Sequence, residues 1–348
     1  MEAALAATLA ALVLLLLHPK QTQTQESSAP IQNTLCAIGD LHADLKHTKT
    51  ALALCGAVHE HNHTWIANRN VTVVQTGDVV DRGQESLETL GFLLELQKQA
   101  KGELVLLMGN HELLNLQGKL QYVHGYSRRS SDSGEIAAQG GRVVWKARFN
   151  PISGDIGQKL AHFPAVAVRG QGACRTLFVH AGVRETTARN YGSIEAINEA
   201  LREQVQQGTG DLLDPLYGPL WFRGYARSKE ASNTESDVCT ELAATLDLLE
   251  NASRMAVGHN IVPWVTTRCG GRLHLLDIGM SSYYGGKPGV WRCREQGEKA
   301  VIETLYAGDE EASSIVDLCE ACSDVRPRSA MRLEDLQDCV EFCGASRL

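Results

Sequence analysis

The sequence contains no run of lysine or arginine and no excess of positive charge. Its 348 residues include 33 basic and 41 acidic side chains, which gives a formal net charge of −8. Because nucleic acids and anionic membranes attract proteins through clustered cations, this balance excludes a general affinity for either of them. An anionic substrate would need positive charge supplied locally, at the site that binds it.

The sequence also lacks a hydrophobic run long enough to cross a membrane comfortably, so no stable membrane span is expected. The longest run extends from Ala3 to Leu17, whereas a spanning helix needs about 20 apolar residues. Its length is typical of a signal-peptide core, although Glu2 precedes it where such signals usually carry positive charge. We predict a signal peptide and polar linker over residues 1–26, with a membrane anchor or an organelle signal as the alternative.

Cysteine, in contrast, is abundant, with ten residues in the chain. Disulfides are rare in a reduced cytosol, so this count favours the secretory pathway or the extracellular space, or another oxidising compartment such as the mitochondrial intermembrane space. Four cysteines cluster near the C-terminus with CxxC and CxxxC spacing: Cys319, Cys322, Cys339 and Cys343. We predict a cysteine-rich extension over residues 306–348 that is cross-linked by disulfides, with a zinc site as the alternative.

Three N-x-S/T triplets begin at Asn62, Asn70 and Asn251. Such triplets accept N-linked glycans only in a protein that enters the secretory route. They also occur often by chance, so they support a glycoprotein only weakly.

The chain as a whole, with 43% hydrophobic and 21% charged residues, has the composition of a soluble globular protein. Short runs rich in β-branched residues or leucine recur, each ending at a glycine or histidine turn: TLCAI, VTVVQT, ELVLLM, TLFV and RMAV. After the second run, Leu87, Leu90 and Leu94 recur at helical spacing. This alternation predicts an α/β layered fold.

Residues 113–165 contain a polar segment rich in glycine and serine, which we interpret as an insert that covers or flanks the site.

Residue types that bind metals follow each of these runs. In open α/β sheets, ligands bind at the carboxyl ends of strands, so loops far apart in sequence can converge there. The loops supply carboxylate, imidazole and amide groups: Asp40, His42, Asp78, Asn110, His180 and His259. This mixed oxygen and nitrogen set suits Mn, Fe or Zn better than Ca. Each residue alone could be a helix cap, a turn residue or a core histidine, but their shared position predicts one site.

The segment VTVVQTGDVVDRG places two acids and an arginine after a buried strand. Asp78 can bridge two divalent metal ions, and such a pair can generate hydroxide from a bridging water for an in-line phosphoryl displacement. Arg82 is predicted to bind phosphate oxygens with its planar guanidinium. His111 is predicted to be the general acid, with Asp81 fixing its tautomer, and a salt bridge from Asp81 to Arg82 is the alternative.

Several strings resemble the ordered motifs of the phosphoprotein phosphatases: GDLHAD, GDVVDRG, GNHE, HAG and GH. Within that superfamily the chain is most similar to the Shewanella-like protein phosphatases, through MGNHELLNLQG, WFRGYA, RMAVGH and DIGMSSYYGGKPGV. The resemblance covers about residues 34–305. It implies a calcineurin-like metallophosphoesterase fold of class α/β, with two mixed β-sheets sandwiched between helical layers, and that range as the catalytic domain.

The resemblance also implies the roles of individual residues. Asp40, His42 and Asp78 would hold one metal ion. The second ion would be held by Asp78 together with Asn110, His180 and His259. Phosphate would be bound by Arg82, by Arg223 of WFRGYA, and by Asn110.

Two features depart from the family or are left open by it. The family usually has glycine where this chain has Ala43, so the loop there is expected to shift. Asp277, which follows another leucine-rich run, is expected to support the site from behind its ligands or to serve as a turn residue. No ligand is missing, so we expect activity.

The leading hypothesis is hydrolysis of phosphoserine, phosphothreonine or phosphotyrosine in a protein or peptide. One alternative is a phosphoesterase acting on small phosphate esters or dinucleoside polyphosphates, because related motifs occur in enzymes with those substrates. Another is an inactive metal-binding module for protein interaction. A proton donor such as His111 would have no use in that last case. The sequence leaves metal identity, disulfide connectivity and oligomeric state open.

Overall fold

The computed structural model of the chain describes residues 33–66, 70–226, 234–309 and 313–314. The signal peptide and linker expected over residues 1–26, and the four C-terminal cysteines, lie outside the described residues. In the described part, no helix has the length and apolar character needed to span a membrane.

The described residues form eleven β-strands and nine α-helices. The strands are β1 (Thr34–Ile38), β2 (Val71–Gln75), β3 (Leu104–Leu106), β4 (Val166–Arg169), β5 (Thr176–Val179), β6 (Arg254–Val257), β7 (Thr266–Arg268), β8 (Leu273–Leu275), β9 (Gly289–Gln296), β10 (Lys299–Tyr306) and β11 (Ser313–Ser314). The helices are α1 (Leu45–Leu54), α2 (Ser86–Ala100), α3 (Asn110–Leu116), α4 (Gly134–Ala138), α5 (Arg142–Arg148), α6 (Gly157–Leu160), α7 (Glu185–Tyr191), α8 (Ile194–Gln207) and α9 (Glu235–Leu248). The five strand runs expected from the sequence are β1, β2, β3, β5 and β6.

The strands build two mixed sheets. One sheet has the order β11-β10-β9-β1-β2-β3, and the other has the order β4-β5-β6-β8-β7. Strands β1, β2 and β3 are parallel, as are β5, β6 and β8. The remaining strands pair antiparallel with their neighbours: β4, β7, β9, β10 and β11. The first sheet continues past residue 305, because β10 ends at Tyr306 and β11 pairs with it.

The side chains of β1 point alternately to the two faces of its sheet, and each face packs against a different apolar layer. Leu35 and Ala37 pack into an apolar cluster with residues of both sheets, including Phe178 of β5 and Trp291 of β9. Neighbouring side chains on β1 point to the opposite face and join a second cluster that includes residues of the helices. The predicted α/β architecture, with two mixed β-sheets between helical layers, is confirmed.

Helix α2 contains the three leucines that the sequence places at helical spacing. Its buried leucines are Leu90, Leu93 and Leu96, whereas Leu87 and Leu94 are only partly buried. Of the three leucines selected by periodicity, only Leu90 is fully buried, because a run of leucines fits two adjacent faces of a helix equally well. The helix ends at Lys101, which adopts a left-handed conformation with φ 49°.

Three disulfides connect elements of the described part. Cys36 of β1 is bonded to Cys55 at the end of α1. Cys174 and Cys293 join the segment before β5 to β9, and so link the two sheets. Cys239 of α9 is bonded to Cys269, just after β7. Disulfides of this kind are typical of proteins from oxidising compartments.

Candidate active site

The predicted metal ligands converge where parallel strands of both sheets end. The loops after β1, β2, β3, β5 and β6 carry them, and all are buried: Asp40, His42, Asp78, Asn110, His180 and His259. The two sheets therefore present their carboxyl ends to the same site, as expected for ligand binding in α/β sheets.

The backbone of the site adopts conformations that side chains rarely tolerate. Eleven non-glycine residues have positive φ among those described, and six of them belong to these loops: His42, Ala43, Asp78, Asp81, Arg82 and His259. Such conformations cost on the order of 1–3 kcal/mol each and persist where the surroundings impose them. Ala43 (φ 56°) takes up the conformation that glycine would adopt freely, and its N–H still donates to the carbonyl of Val79 at 2.8 Å.

Glu112 is the group that imposes the conformation of the loop after β2. This fully buried carboxylate accepts hydrogen bonds from the backbone N–H groups of Asp78, Val79 and Val80 at 2.8, 2.9 and 3.2 Å. It also accepts from the N–H of Gly109 at 2.9 Å. Our sequence reasoning assigned Glu112 no role, although it belongs to the GNHE string, because its function depends on contacts across 34 residues.

Asp78 lies between two groups of histidines. Its Oδ1 is 3.4 Å from Nε2 of His180. Its Oδ2 is 3.8 Å from Nε2 of His42 and from Nε2 of His111. The ligand atoms form two compact sets, each within 4.8 Å: Asp78 with His42 and His111, and Asp78 with His180 and His259. This geometry suits a carboxylate shared by two metal ions.

The protonation states in the site fit metal binding. Burial lowers the pKa of His42 to about 3 and also lowers the pKa values of His180 and His259, so these imidazoles are neutral. Burial alone would raise the pKa of Asp78, but positive charge on nearby histidines, among them His111 with its raised pKa, outweighs burial and lowers that pKa. Neutral imidazoles and an ionised carboxylate are the forms that bind divalent ions.

The surroundings of the ring nitrogens of His180 and His259 also suit metal binding. Nδ1 of His180 lies 2.8 Å from the carbonyl oxygen of Thr76 and donates to it, which leaves the lone pair on Nε2. That Nε2 lies 2.9 Å from Oδ1 of Asn110. The buried Nε2 of His259 has no hydrogen-bond partner among the described residues. An unpartnered imidazole nitrogen inside a set of this kind is well suited to a metal ion.

Asp40 lies beside His42, at the edge of the first set. It lies in neither compact set, and Oδ2 is 3.9 Å from Nε2 of His42. Both of its oxygens accept from the backbone N–H of His259, at 3.2 and 3.1 Å. Asp277 hydrogen-bonds to Asp40 from behind, and burial followed by the nearby charge of Asp78 raises the pKa of Asp277 to about 7. Bound cations would relieve this crowding of carboxylates.

His111 and Asp81 form a buried pair. Nδ1 of His111 lies 2.7 Å from Oδ2 of Asp81. Burial lowers the pKa of His111, but the carboxylates of Asp78 and Asp81 outweigh it, so the pKa rises above its usual value. Asp81 contacts His111 and not the side chain of Arg82, so the alternative of a salt bridge between neighbours is not what the structure contains.

Two arginines flank the ligands. The guanidinium of Arg82 lies 4.1 Å from the ring centre of Tyr122 and 5.8 Å from that of Tyr283. Its buried Nε has no hydrogen-bond partner among the described residues. Arg223 donates through Nη1 to Oδ1 of Asn260 at 2.7 Å, beside His259. The acidic chain therefore has local positive charge on both sides of the site.

The family model of calcineurin-like phosphoesterases matches residues 34–243. The chain belongs to this family. Its members share the metallophosphoesterase fold, and the His and Asp cluster at the strand ends implies bound divalent metal ions. The chain is thus a phosphatase by family and by fold.

Three relatives match more than two thirds of the chain. The phosphatase is 31% identical over 294 residues to an uncharacterised protein of Schizosaccharomyces pombe, covering 81% of this chain and 84% of that protein. It is 29% identical to Shewanella-like protein phosphatase 1 of Plasmodium berghei, over 72% of this chain and 67% of the relative. It is 28% identical to Shewanella-like protein phosphatase 2 of Arabidopsis thaliana, over 71% of each. The predicted resemblance is confirmed.

Solved structures agree with the fold. A cold-active protein tyrosine phosphatase of a psychrophilic Shewanella matches with TM-score 0.63 at 24% identity, over 81% of this chain and 80% of that one. A serine/threonine phosphatase of Saccharomyces cerevisiae matches with TM-score 0.50 at 14% identity, over 82% and 83% of the two chains.

Proposed function

We propose that this phosphatase hydrolyses phosphorylated side chains of proteins or peptides, with His111 as the general acid. The observation that carries the proposal is the orientation of that imidazole. One nitrogen is bound to Asp81 at 2.7 Å, and the other faces Asp78, the carboxylate between the two histidine groups, at 3.8 Å. A proton donor aimed at a metal-ligand cluster is what a leaving alkoxide or phenoxide requires.

The residues of the site would have three roles: metal binding, phosphate binding and proton transfer. The metal ions would be held by Asp40, His42, Asp78, Asn110, His180 and His259. Divalent ions bound there supply Lewis-acid charge for the phosphoester and lower the pKa of water. Arg82 and Arg223 would bind the phosphate oxygens, together with Asn110. His111 would give the proton on Nε2 to the leaving oxygen and recover it from water, while Asp81 holds Nδ1.

Aromatic side chains near Arg82 favour an aromatic leaving group. Tyr283 is 55% exposed and Tyr284 is 38% exposed, and the ring of Tyr284 lies 5.3 Å from that of His42. Contacts between aromatic rings contribute about 0.5–1.5 kcal/mol each beyond the burial of their surface. We therefore favour phosphotyrosine over phosphoserine or phosphothreonine.

The test compares a phosphotyrosine and a phosphothreonine peptide with the mature chain and added Mn, beside an Asp78→Asn control. We expect metal-dependent phosphate release, faster from phosphotyrosine, and lost in the control because the shared ligand is gone. No release from either peptide would contradict the proposal. In that case, release from a small phosphate ester or a dinucleoside polyphosphate would identify a small-molecule phosphoesterase, and no release from any substrate would favour the interaction module.

We also propose that the protein works in the secretory pathway or outside the cell, or in another oxidising compartment such as the mitochondrial intermembrane space. Three disulfides support an oxidising compartment. The asparagines of all three glycosylation triplets are exposed: Asn62, Asn70 and Asn251. A loss of mass on treatment with an N-glycosidase would support the secretory route, and an unchanged mass would favour the other compartment.

A further inference from the structure

The string MGNHELLNLQG continues beyond the histidine and glutamate discussed above, to Asn115. Asn115 is 1% exposed and lies four residues after His111 in helix α3. Its side-chain Nδ2 donates to Oδ1 of Asp81 at 2.8 Å and to the carbonyl of His111 at 3.0 Å. Both oxygens of the fully buried Asp81 are therefore bound, one by His111 and the other by Asn115.

A second buried residue orients the amide of Asn115. Trp145, in helix α5 of the insert, donates from Nε1 to Oδ1 of Asn115 at 2.8 Å and is fully buried. An indole N–H can only donate, so it requires the oxygen of the amide to face it. Nδ2 must then face Asp81. The three hydrogen bonds thus fix which end of the amide meets the carboxylate.

We propose that Asn115 and Trp145 are positioning residues for the general acid, an inference that rests on the function proposed above. A carboxylate bound through one oxygen can rotate about its Cβ–Cγ bond, whereas one bound through both oxygens cannot do so without breaking a hydrogen bond. Asn115 therefore fixes the plane of Asp81. Asp81 in turn fixes the ring of His111, whose Nε2 faces Asp78 at 3.8 Å.

The insert over residues 113–165 contributes to the position of the general acid. Residues 113–165 were expected to cover or flank the site, and they also carry a tryptophan that supports the acid through Asn115. Trp145 is held in place by stacking on Phe149, with ring centres 5.1 Å apart. Arg142 at the start of the same helix is bound to Asp132, with Nη2 to Oδ1 at 2.7 Å. The start of the helix that presents the indole is therefore tied to the preceding loop.

The test uses leaving groups that need protonation to different degrees. Phenyl phosphate releases a poor leaving group, and p-nitrophenyl phosphate releases a good one. We expect Asn115→Leu to lower kcat on phenyl phosphate by about 10- to 100-fold, the usual effect of losing a partner that orients a catalytic or ligand side chain. The same variant should be nearly unaffected on p-nitrophenyl phosphate, because that oxygen leaves without a proton.

Two further variants separate positioning from damage to the fold. Asn115→Leu leaves the indole N–H without an acceptor, so the double variant Asn115→Leu with Trp145→Phe removes that donor as well. It should keep the selective loss while regaining thermal stability. Trp291→Phe is the matched control, because Trp291 is equally buried, lies between the sheets, and has an Nε1 without a partner among the described residues. It should act like the wild type on both substrates.

NMR of the ring nitrogens of His111 reports how that side chain is held, without any catalysis. In metal-free protein labelled with 15N-histidine, the wild type should show one set of ring signals for His111, with a proton on Nδ1 whatever the state of Nε2. That set is identified by its loss in His111→Gln. Asn115→Leu should broaden or shift that signal, and Trp291→Phe should not.

The outcomes distinguish this inference from the proposed function. A wild type that hydrolyses neither ester contradicts the proposed function, whatever the spectra show. A wild type that is active on both, with Asn115→Leu losing activity equally on the two esters and keeping the His111 signal, overturns the positioning role. Selective loss on phenyl phosphate together with a changed His111 signal supports it.

Discussion

Asp78 presents one carboxylate oxygen to each of two histidine groups. Oδ1 lies 3.4 Å from Nε2 of His180, and Oδ2 lies 3.8 Å from the Nε2 atoms of His42 and His111. Its left-handed backbone, with φ 58°, is held by hydrogen bonds to Glu112. At the scale of single residues, the geometry of the site therefore depends on one acid that lies between the histidines and on a second acid that supports the backbone of the first.

His111→Ala tests the proton donor directly. We expect kcat on a phosphopeptide to fall by about 100-fold or more, within the range expected for losing a general acid. Two equivalents of bound metal should remain, because none of the proposed metal ligands is changed. Phosphate release and metal analysis of the same preparation check the two parts. Unchanged turnover on a poorly activated leaving group would remove His111 from this role.

At the scale of elements, the insert is joined to helix α2 by a buried carboxylic acid. Glu135 of α4 is 7% exposed, and its Oε1 accepts from the N–H of Leu87 at 3.0 Å. Its Oε2 has no partner among the described residues. Burial raises the pKa of Glu135 from 4.5 to about 7. The folded protein therefore binds this proton more tightly than the unfolded chain does.

The sign of the pH dependence follows from that pKa. A raised folded-state pKa favours folding below pH 4.5, and the advantage is lost as the pH rises through about 7. Above that, the buried charge costs up to about 3 kcal/mol relative to a neutral side chain. Glu135→Gln, which can still accept from Leu87, should raise the melting temperature at pH 8 and change it little at pH 5.

The exposed Glu203 supplies a matched control for this measurement. Glu203→Gln should leave the melting temperature nearly unchanged at both pH values, since its carboxylate is solvated. An equal rise at pH 5 and pH 8 for Glu135→Gln would mean that the benefit comes from packing and not from the charge.

At the scale of the whole molecule, disulfides close loops of very different length. Cys174 and Cys293 are 119 residues apart and link the two sheets, whereas Cys36 and Cys55 are 19 apart and link a strand to the helix that follows. All four cysteines are buried, so the two pairs can be compared. In the loop-entropy account, the longer loop contributes about 5 kcal/mol and the shorter one about 3 kcal/mol.

Replacing each pair by alanines tests this difference. The double variant Cys174→Ala with Cys293→Ala should lose more free energy of unfolding than Cys36→Ala with Cys55→Ala, measured by urea denaturation. Cavity terms are similar in the two variants because each removes the same atoms from the core. An equal loss, or a larger one for the short loop, would contradict the entropic account for this protein.

The sequence by itself predicted the chemistry-bearing residues and the class of fold. Strand runs such as VTVVQT ending at a glycine are local patterns, and metal-ligand types after several such runs indicate one site at the sheet ends. The resemblance carried by those strings was confirmed by the family match. The buried faces of helices were less predictable, since the leucines of α2 fit more than one face.

Only the tertiary structure decided how these residues are held. Glu112 supports the loop of Asp78, Asn115 binds the free oxygen of Asp81, and Trp145 orients Asn115, through hydrogen bonds that join residues about 30 positions apart. The disulfide pairing and the contact of Asp277 with Asp40 are decided in the same way. Local sequence patterns indicate the periodicity of a helix or strand and where it ends. A hydrogen bond between two buried groups depends instead on how separate helices and strands pack.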